Sequence, residues 1–456
     1  MSKMMNYVKN NLLFLVLISQ PLLDILAYFQ EGSTISVAGY VRLAYTVLIP
    51  LYTLVVAEKK KSFFYIMSGI GVFALIHVAN GLRVGYISLF ADVKYMLLVL
   101  HMPILLICFM YLFNKAELKI QITRGLVVNI VIFVVTFFAS YIMKNGNYTY
   151  VDYEVGWTGW YLIPNAQSVI TVSVLAFGVY FAMTYCKKYF PIPLSLFLYM
   201  YMVNGTKTSY VSVVLVLFGF FCFVIIEYFI KREGKFPTYK ALMLGLLLVI
   251  TVFAYNYTPR EIMDENEENA RAEEQLELDE EEFDKSKILQ YIDKDLLDRF
   301  GNERVLEAYG DDVDAYTFAD MRLKKRIYGR LVWEESDLLT KLVGYEYSEM
   351  QHNGENFDLE NDPHAILYYY GYLGLAGYAC LLGYFVLRIL VILKKQFKES
   401  VNQLNFTILI TWGLQMALSV YAGYLLRRPN VSFYLMIVLL LVYCQTEALR
   451  KDKEEV

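Results

Sequence analysis

Apolar stretches of about 20 residues, the length that crosses a bilayer as a helix, recur from one end of this 456-residue chain to the other. Inside a membrane no water meets the backbone amides, so such stretches must satisfy them within helices. Hydrophobic residues are 57% of the chain and aromatic residues 16%, which excludes a soluble globular class. The pattern predicts an all-α polytopic membrane protein of about 12 transmembrane helices, near 11–29, 37–57, 63–80, 93–113, 125–143, 165–185, 190–203, 208–230, 241–257, 365–393, 404–426 and 430–447. Segment 190–203 is the weakest, being short and carrying Pro191 and Pro193, which suit a first helical turn or a re-entrant element. The first span lacks a small-residue cleavage site and reads as a retained helix, not a signal peptide.

Between the ninth and tenth spans lies one long polar loop. Residues 258–363 hold 31 of the 45 acidic side chains and 13 of the 41 Lys and Arg, so the loop carries −18 while the remainder carries +14. The expected division is a bundle over 1–257, a loop over 258–363 and a second bundle with a tail over 364–456. Basic residues cluster in linkers on one side, among them Lys59, Lys60, Lys61, Lys115, Lys119, Lys187, Lys188, Lys231, Lys394 and Lys395. By the positive-inside rule those linkers are cytoplasmic, as are both termini, and the acidic loop is extracytoplasmic. Residues 261–284 are an acidic low-complexity run that reads as a solvated segment without chemistry. From Ile288 to Leu342 apolar residues return at helical spacing, predicting two or three amphipathic helices over the bundle. Cys108, Cys186, Cys222, Cys380 and Cys444 lie in or beside spans, so the loop has no disulfide framework. There is no zinc spacing, P-loop or nucleophile elbow. Asp312 and Asp314 form an isolated string of low weight in so acidic a loop.

The loop's end concentrates the candidate chemistry. Arg326 and Arg330 stand four apart, so on a helix they share a face and could straddle a pyrophosphate through charge-assisted bonds. Neighbouring Glu334 and Glu335 offer the plainer role of ion-pair partners. His364 follows Asp362 and Pro363, where the chain re-enters the membrane and a proline starts a helix. A histidine at that boundary, beside a cationic segment, is a candidate proton acceptor. His77 and His101 read as packed groups and His352 as a loop residue. Arg42, Arg83, Lys207 and Arg427, together with Lys94 and Arg428, map to the same ends of several spans. Each alone reads as snorkelling, and together they read as an anion site. Asp24, a turn after Gln20, is the clearest intramembrane acid.

Three local patterns resemble the O-antigen ligase and polymerase superfamily: Asn204 to Ser209 opening a span around Lys207, Gly329-Arg330 with Trp333 followed by Val343-Gly344, and Pro363-His364 running into Gly371 and Gly374. Lys207 stands where arginine is usual and Ala365 where asparagine commonly follows the histidine. The resemblance implies an inverting, metal-independent glycosyl transfer without a cofactor. The donor would be a glycan on polyprenyl pyrophosphate, the acceptor a glycolipid or growing chain, and the product a cell-envelope polymer such as a teichoic acid or capsule. His364 and Arg330 would be catalytic, with Arg326, Lys207, Arg83, Arg42 and Arg427 on the pyrophosphate. An imidazole, with an unperturbed pKa near ~6.5, is largely neutral at pH 7 as a general base requires. The bilayer is the setting, and no nucleic-acid partner is expected. A lipid-linked glycan flippase or secondary transporter is the alternative, expected to work from a midplane site with broken helices.

Overall fold

The computed structural model describes residues 3–451 apart from 33–35, 86–87, 152, 163, 233, 267–288, 311–316, 319 and 424. Long helices come first: α1 Lys3–Phe29, α2 Val37–Val56, α3 Lys60–Val84, α4 Leu89–Leu112, α5 Lys115–Met143, α6 Pro164–Tyr185, α7 Pro191–Asn204, α8 Lys207–Lys231 and α9 Thr238–Phe253. Short helices α10 Lys294–Phe300, α11 Asn302–Tyr309, α12 Met321–Glu335 and α13 Leu338–Val343 form a cap. The chain then returns through α14 Asp362–Lys395, α15 Phe397–Ser400, α16 Gln403–Tyr421 and α17 Pro429–Lys451. The molecule is an all-α polytopic membrane protein.

Among the described residues eleven helices are long and apolar enough to cross a bilayer. The expected twelfth, α7, has 14 residues and at 1.5 Å per residue spans only roughly 21 Å, short of the ~30 Å hydrocarbon layer. It nevertheless connects opposite sides of the bundle. Near its start Tyr239 of α9 donates to the Lys188 carbonyl (2.6 Å), and at its end Asn204 meets Ser168 in the first turns of α6 (3.5 Å).

Helices α6 and α17 are the most deeply buried. Apolar on every side, they form the bundle's centre. Around them Leu51 and Val55 of α2, Leu75 of α3, Leu242 of α9 and Leu387 of α14 stay exposed, an apolar girdle that lipid covers.

Helix α14, at 34 residues, is roughly 51 Å long and therefore rises beyond the bilayer into the cap. It breaks at Gly371, where φ is 64°. A Cβ there would lie 2.3 Å from the Leu342 backbone, and one at Gly344 (φ 94°) 2.2 Å from that of Tyr369. Only paired glycines allow the backbones at the end of α13 and the kink of α14 to approach so closely. The Tyr345 amide then donates to the Tyr368 carbonyl at 2.9 Å, and His77 Nδ1 contacts the Val343 carbonyl at 2.9 Å.

The cap holds itself by ion pairs and a small core. Lys324 pairs with Asp293, Arg304 with Glu335, Arg299 with Glu349 (2.8 Å), and Glu360 receives both Arg322 (2.9 Å) and Lys325 (3.1 Å). Tyr328 stacks on Phe357 with centroids 4.0 Å apart. Asp92 of α4 fixes the cap to the bundle by accepting from the Ser348 amide (2.8 Å) and hydroxyl (2.7 Å). A two-residue hairpin pairs Gln351–His352 with Glu355–Asn356 through Asn353 and Gly354, both at positive φ, the requirement of a tight primed turn. Most of the acidic run 261–284, from residue 267 on, and the Asp312 to Asp314 string lie outside the described residues.

Candidate active site

The candidate residues divide into two groups on either side of the first turn of α14. On the outward side lies α12, started by Asp320, whose carboxylate accepts from the Arg322 and Leu323 amides (2.8 and 3.1 Å). Ile327, Tyr328 and Leu331 face the cap core, leaving Arg322, Arg326 and Arg330 exposed at four-residue intervals. Contacts along α12 fix its register on α14. Lys325 reaches Glu360, a Cβ on Gly329 would sit 3.3 Å from the Tyr368 ring, and Trp333 packs on Tyr368 and Tyr372 (5.3 and 5.6 Å). Arg330 therefore lies near Tyr368, one turn along α14 from His364, whose ring lies 6.3 Å from Tyr368.

His364 is exposed and held by Asn361. The Asn361 side chain caps α14 by accepting from the His364 amide (3.1 Å), and the same Oδ1 lies 2.8 Å from His364 Nδ1. Asn361 Nδ2 donates to the Val420 carbonyl at 2.9 Å, which fixes the amide orientation. Because Oδ1 can only accept, Nδ1 carries the hydrogen and Nε2 presents a lone pair outward. Asn361 was visible in the sequence beside the histidine, but its orienting role depends on Val420, 59 positions away.

The two arginines differ in availability. Arg330 reaches Glu334 (3.3 Å) and the Ala308 carbonyl (3.4 Å), both partners half exposed in the ion pair. Arg326 has no hydrogen bond or ion pair among the described residues. Such an exposed pair contributes only about 0–1 kcal/mol, so a doubly ionised phosphate group would displace Glu334 from Arg330.

The inward side is a cavity of about 370 Å³ between α1, α2, α4, α6 and the start of α17, lined by Arg42 and Arg427. Arg42 is buried against Asp24 (2.7 Å) and Gln20 (3.1 Å). Arg427 spends all five of its N–H groups within the protein. It donates to Asp358, the Leu359 carbonyl, Asp362 (3.0 Å), Tyr95 (3.1 Å) and the Gly423 carbonyl (2.8 Å). Asp362 also accepts the Leu425 and Leu426 amides at 2.8 Å each, so Arg427 fastens the entrance of α14 to the α16–α17 connection. Removing it strands buried carboxylates. Arg427→Ala is expected to destabilise the protein by about 3–5 kcal/mol, read as lost membrane abundance and a lower melting temperature; a stable variant impaired only in activity would reverse this structural assignment.

Arg83 and Lys207 join neither group. Arg83 pairs with Asp337 (2.7 Å) and Asn80 (2.7 Å) where α3 meets α13. Hydrogen bonds from Thr340, with help from Arg83, hold the Asp337 carboxyl down at about 2. Lys207 is exposed at the start of α8, beside Asp264, whose carboxyl is kept below the usual range chiefly by Arg260 and further by Lys207. Among the described residues no group of three or more His, Cys, Asp or Glu side chains is arranged to hold a metal ion.

A family model described as O-antigen ligase like membrane protein matches residues 5–447. The chain belongs to that family. Membership makes it a polytopic membrane protein of the glycan ligase and polymerase type, with lipid-linked glycans as its class of substrate. No curated protein and no solved structure gives a significant match to this O-antigen ligase-like chain.

Proposed function

We propose that this O-antigen ligase-like protein transfers a glycan, with inversion, from a polyprenyl-pyrophosphate carrier to the hydroxyl of a glycolipid or growing glycan, at the extracytoplasmic face of a bacterial cytoplasmic membrane. The observation that carries the proposal is the oriented His364, whose Nε2 has no partner among the described residues, at the start of the helix on which α12 rests through Trp333 with Arg326 and Arg330 exposed. In the reaction the acceptor oxygen bonds to the anomeric carbon as that carbon's bond to the pyrophosphate breaks. The hydroxyl proton goes to His364 Nε2, and the electron pair leaves on the pyrophosphate oxygen. Arg326 and Arg330 stabilise the charge that gathers there. Neither step calls for a metal, because guanidinium groups supply the positive charge.

An apolar groove of about 480 Å³ between α3, α4 and α14, lined by Phe73, Pro103, Leu373, Gly374 and Gly377 among others, suits the polyprenyl tail. Its upper wall includes Tyr370, two residues beyond Tyr368, so a lipid lying there would present its headgroup near α12. The basic linkers opposite the cap support a cytoplasmic assignment for that side and for both termini. Envelope polymers such as teichoic acid or capsule are the product class.

The test is transfer by purified full-length protein supplied with labelled lipid-linked glycan and acceptor. Product formation in the presence of a chelator is expected; a ladder identifies a polymerase and one discrete shift a ligase. Carrier-linked glycan moving across vesicles without covalent transfer would replace this reading with the flippase one.

A further inference from the structure

We propose that the cavity around Arg42 and Arg427 binds an uncharged, hydroxyl-rich sugar ring of the substrate and not its pyrophosphate. The proposal rests on the glycan-transfer reading for the identity of the substrate, while its binding arm can be tested without it. The sequence groups Arg42 and Arg427 with the anion ligands, and the cavity's chemistry points elsewhere.

Charge comes first. Arg42, Arg427 and Arg428 line the cavity, and Asp24 and Asp358 line it with them, while Asp362 lies against Arg427. Three cations meet three carboxylates, so the site offers a pyrophosphate no net attraction to offset its desolvation. The five bonds of Arg427 leave it no donor for a ligand.

What remains unsatisfied suits hydroxyl groups. Gln167 is only 6% exposed and lines the cavity, yet its side-chain amide makes no hydrogen bond to a described residue. Among the described residues nothing answers this amide, and a ligand offering both a donor and an acceptor would. Asp24 Oδ2 is likewise buried without a partner, while its Oδ1 is engaged by Arg42 (2.7 Å) and Asn430 (3.3 Å). A vicinal diol answers this set: one hydroxyl donates to a carboxylate or amide oxygen, and its neighbour accepts from an amide nitrogen.

The walls add an aromatic surface. Tyr95 and Tyr347 stack with centroids 4.0 Å apart and planes 14° from parallel, and Tyr161 also lines the cavity. Aromatic faces attract the polarised C–H side of a sugar ring while polar groups meet its edge. The volume of about 370 Å³ lies within the ~300–1,000 Å³ usual for small-ligand pockets. Position agrees as well: Tyr95 packs edge-on against Tyr369 at 5.5 Å, so a layer of tyrosines separates this cavity from the apolar groove on the other side of α4.

The test uses the full-length protein in lipid nanodiscs and saturation-transfer NMR of glucose, galactose, N-acetylglucosamine and N-acetylgalactosamine, each with and without sodium pyrophosphate. At least one sugar is expected to receive saturation, to keep it when pyrophosphate is added, and to lose about fivefold to tenfold in affinity in Gln167→Ala. Asn430→Ala, on a different helix, provides the same readout should the first variant fold poorly. Silence from all four sugars, displacement by pyrophosphate, or unchanged affinity in both folded variants overturns the proposal. Glycan transfer without any sugar saturation would overturn the subsite and leave the enzymatic reading standing; saturation without transfer supports the subsite and sinks the enzymatic reading. In the transfer assay a raised KM for the acceptor alone assigns the cavity to the acceptor sugar, and one for the lipid-linked donor alone assigns it to the donor.

Discussion

Replacing His364 with alanine is expected to lower the transfer rate by about 10²–10⁴-fold, the range that a positioned general base contributes, with membrane abundance unchanged because the side chain is exposed. The sharper form of the prediction concerns Asn361. In Asn361→Asp the carboxylate can still cap α14 and still accept the Nδ1 hydrogen, so fold and ring orientation persist. Its negative charge stabilises the imidazolium, the form that cannot accept a proton. The acidic limb of the pH–rate profile should therefore move to higher pH, while the rate on the alkaline plateau is retained. Asn361→Ala loses the orienting bond as well as the cap, and the cap alone contributes about 1 kcal/mol. Its rate should fall at every pH, with a modest loss of stability. A pH profile for Asn361→Asp that overlays the wild type would show that this amide does not hold the catalytic ring, and full activity in His364→Ala would remove the histidine from the chemistry.

The parts of this design legible in the sequence are those set by local spacing. Runs of about 20 apolar residues mark the long helices, since burying a helical backbone in lipid demands that length. Pro363 just after Asp362 marks where α14 begins, and the four-residue interval from Arg326 to Arg330 gives a shared face. Length also sets α7 apart: it has apolar composition but only 14 residues. What the sequence could not supply was pairing across the chain. Arg427 meets Asp358 and Asp362 from 69 and 65 positions away, and Arg42 meets Asp24 across the α1–α2 hairpin. A basic residue at the end of a span looks alike whether a carboxylate from another helix neutralises it or not. That is why Arg42 and Arg427 read as anion ligands in the sequence, and why nothing there marks Gln167, which has no motif around it.

The same distinction, between guanidinium groups already neutralised by buried carboxylates and those open to solvent, sets the largest effect expected among the charged residues. Arg326→Ala and Arg330→Ala should each lower transfer by about 10²–10³-fold, as removal of one preorganised donor to a developing oxyanion does, with normal abundance and melting behaviour. Exposure argues for that separation of activity from stability: Arg330 gives up only a half-exposed pair with Glu334, and Arg326 gives up no described partner at all. If both grip one leaving pyrophosphate, the double variant should lose less than the product of the single losses, because once the first contact is gone the second no longer acts on a well-placed group. Lysine at either position should restore charge but not the bidentate geometry, and recover only part of the rate. Glu334→Gln works in the opposite direction, freeing Arg330 and lowering KM for the lipid-linked donor, an effect that shrinks as salt is raised. Strict independence of the two arginine losses would place them on different groups and dismantle the shared pyrophosphate site, whereas unaltered kinetics in both single variants would move the leaving-group chemistry away from α12 altogether.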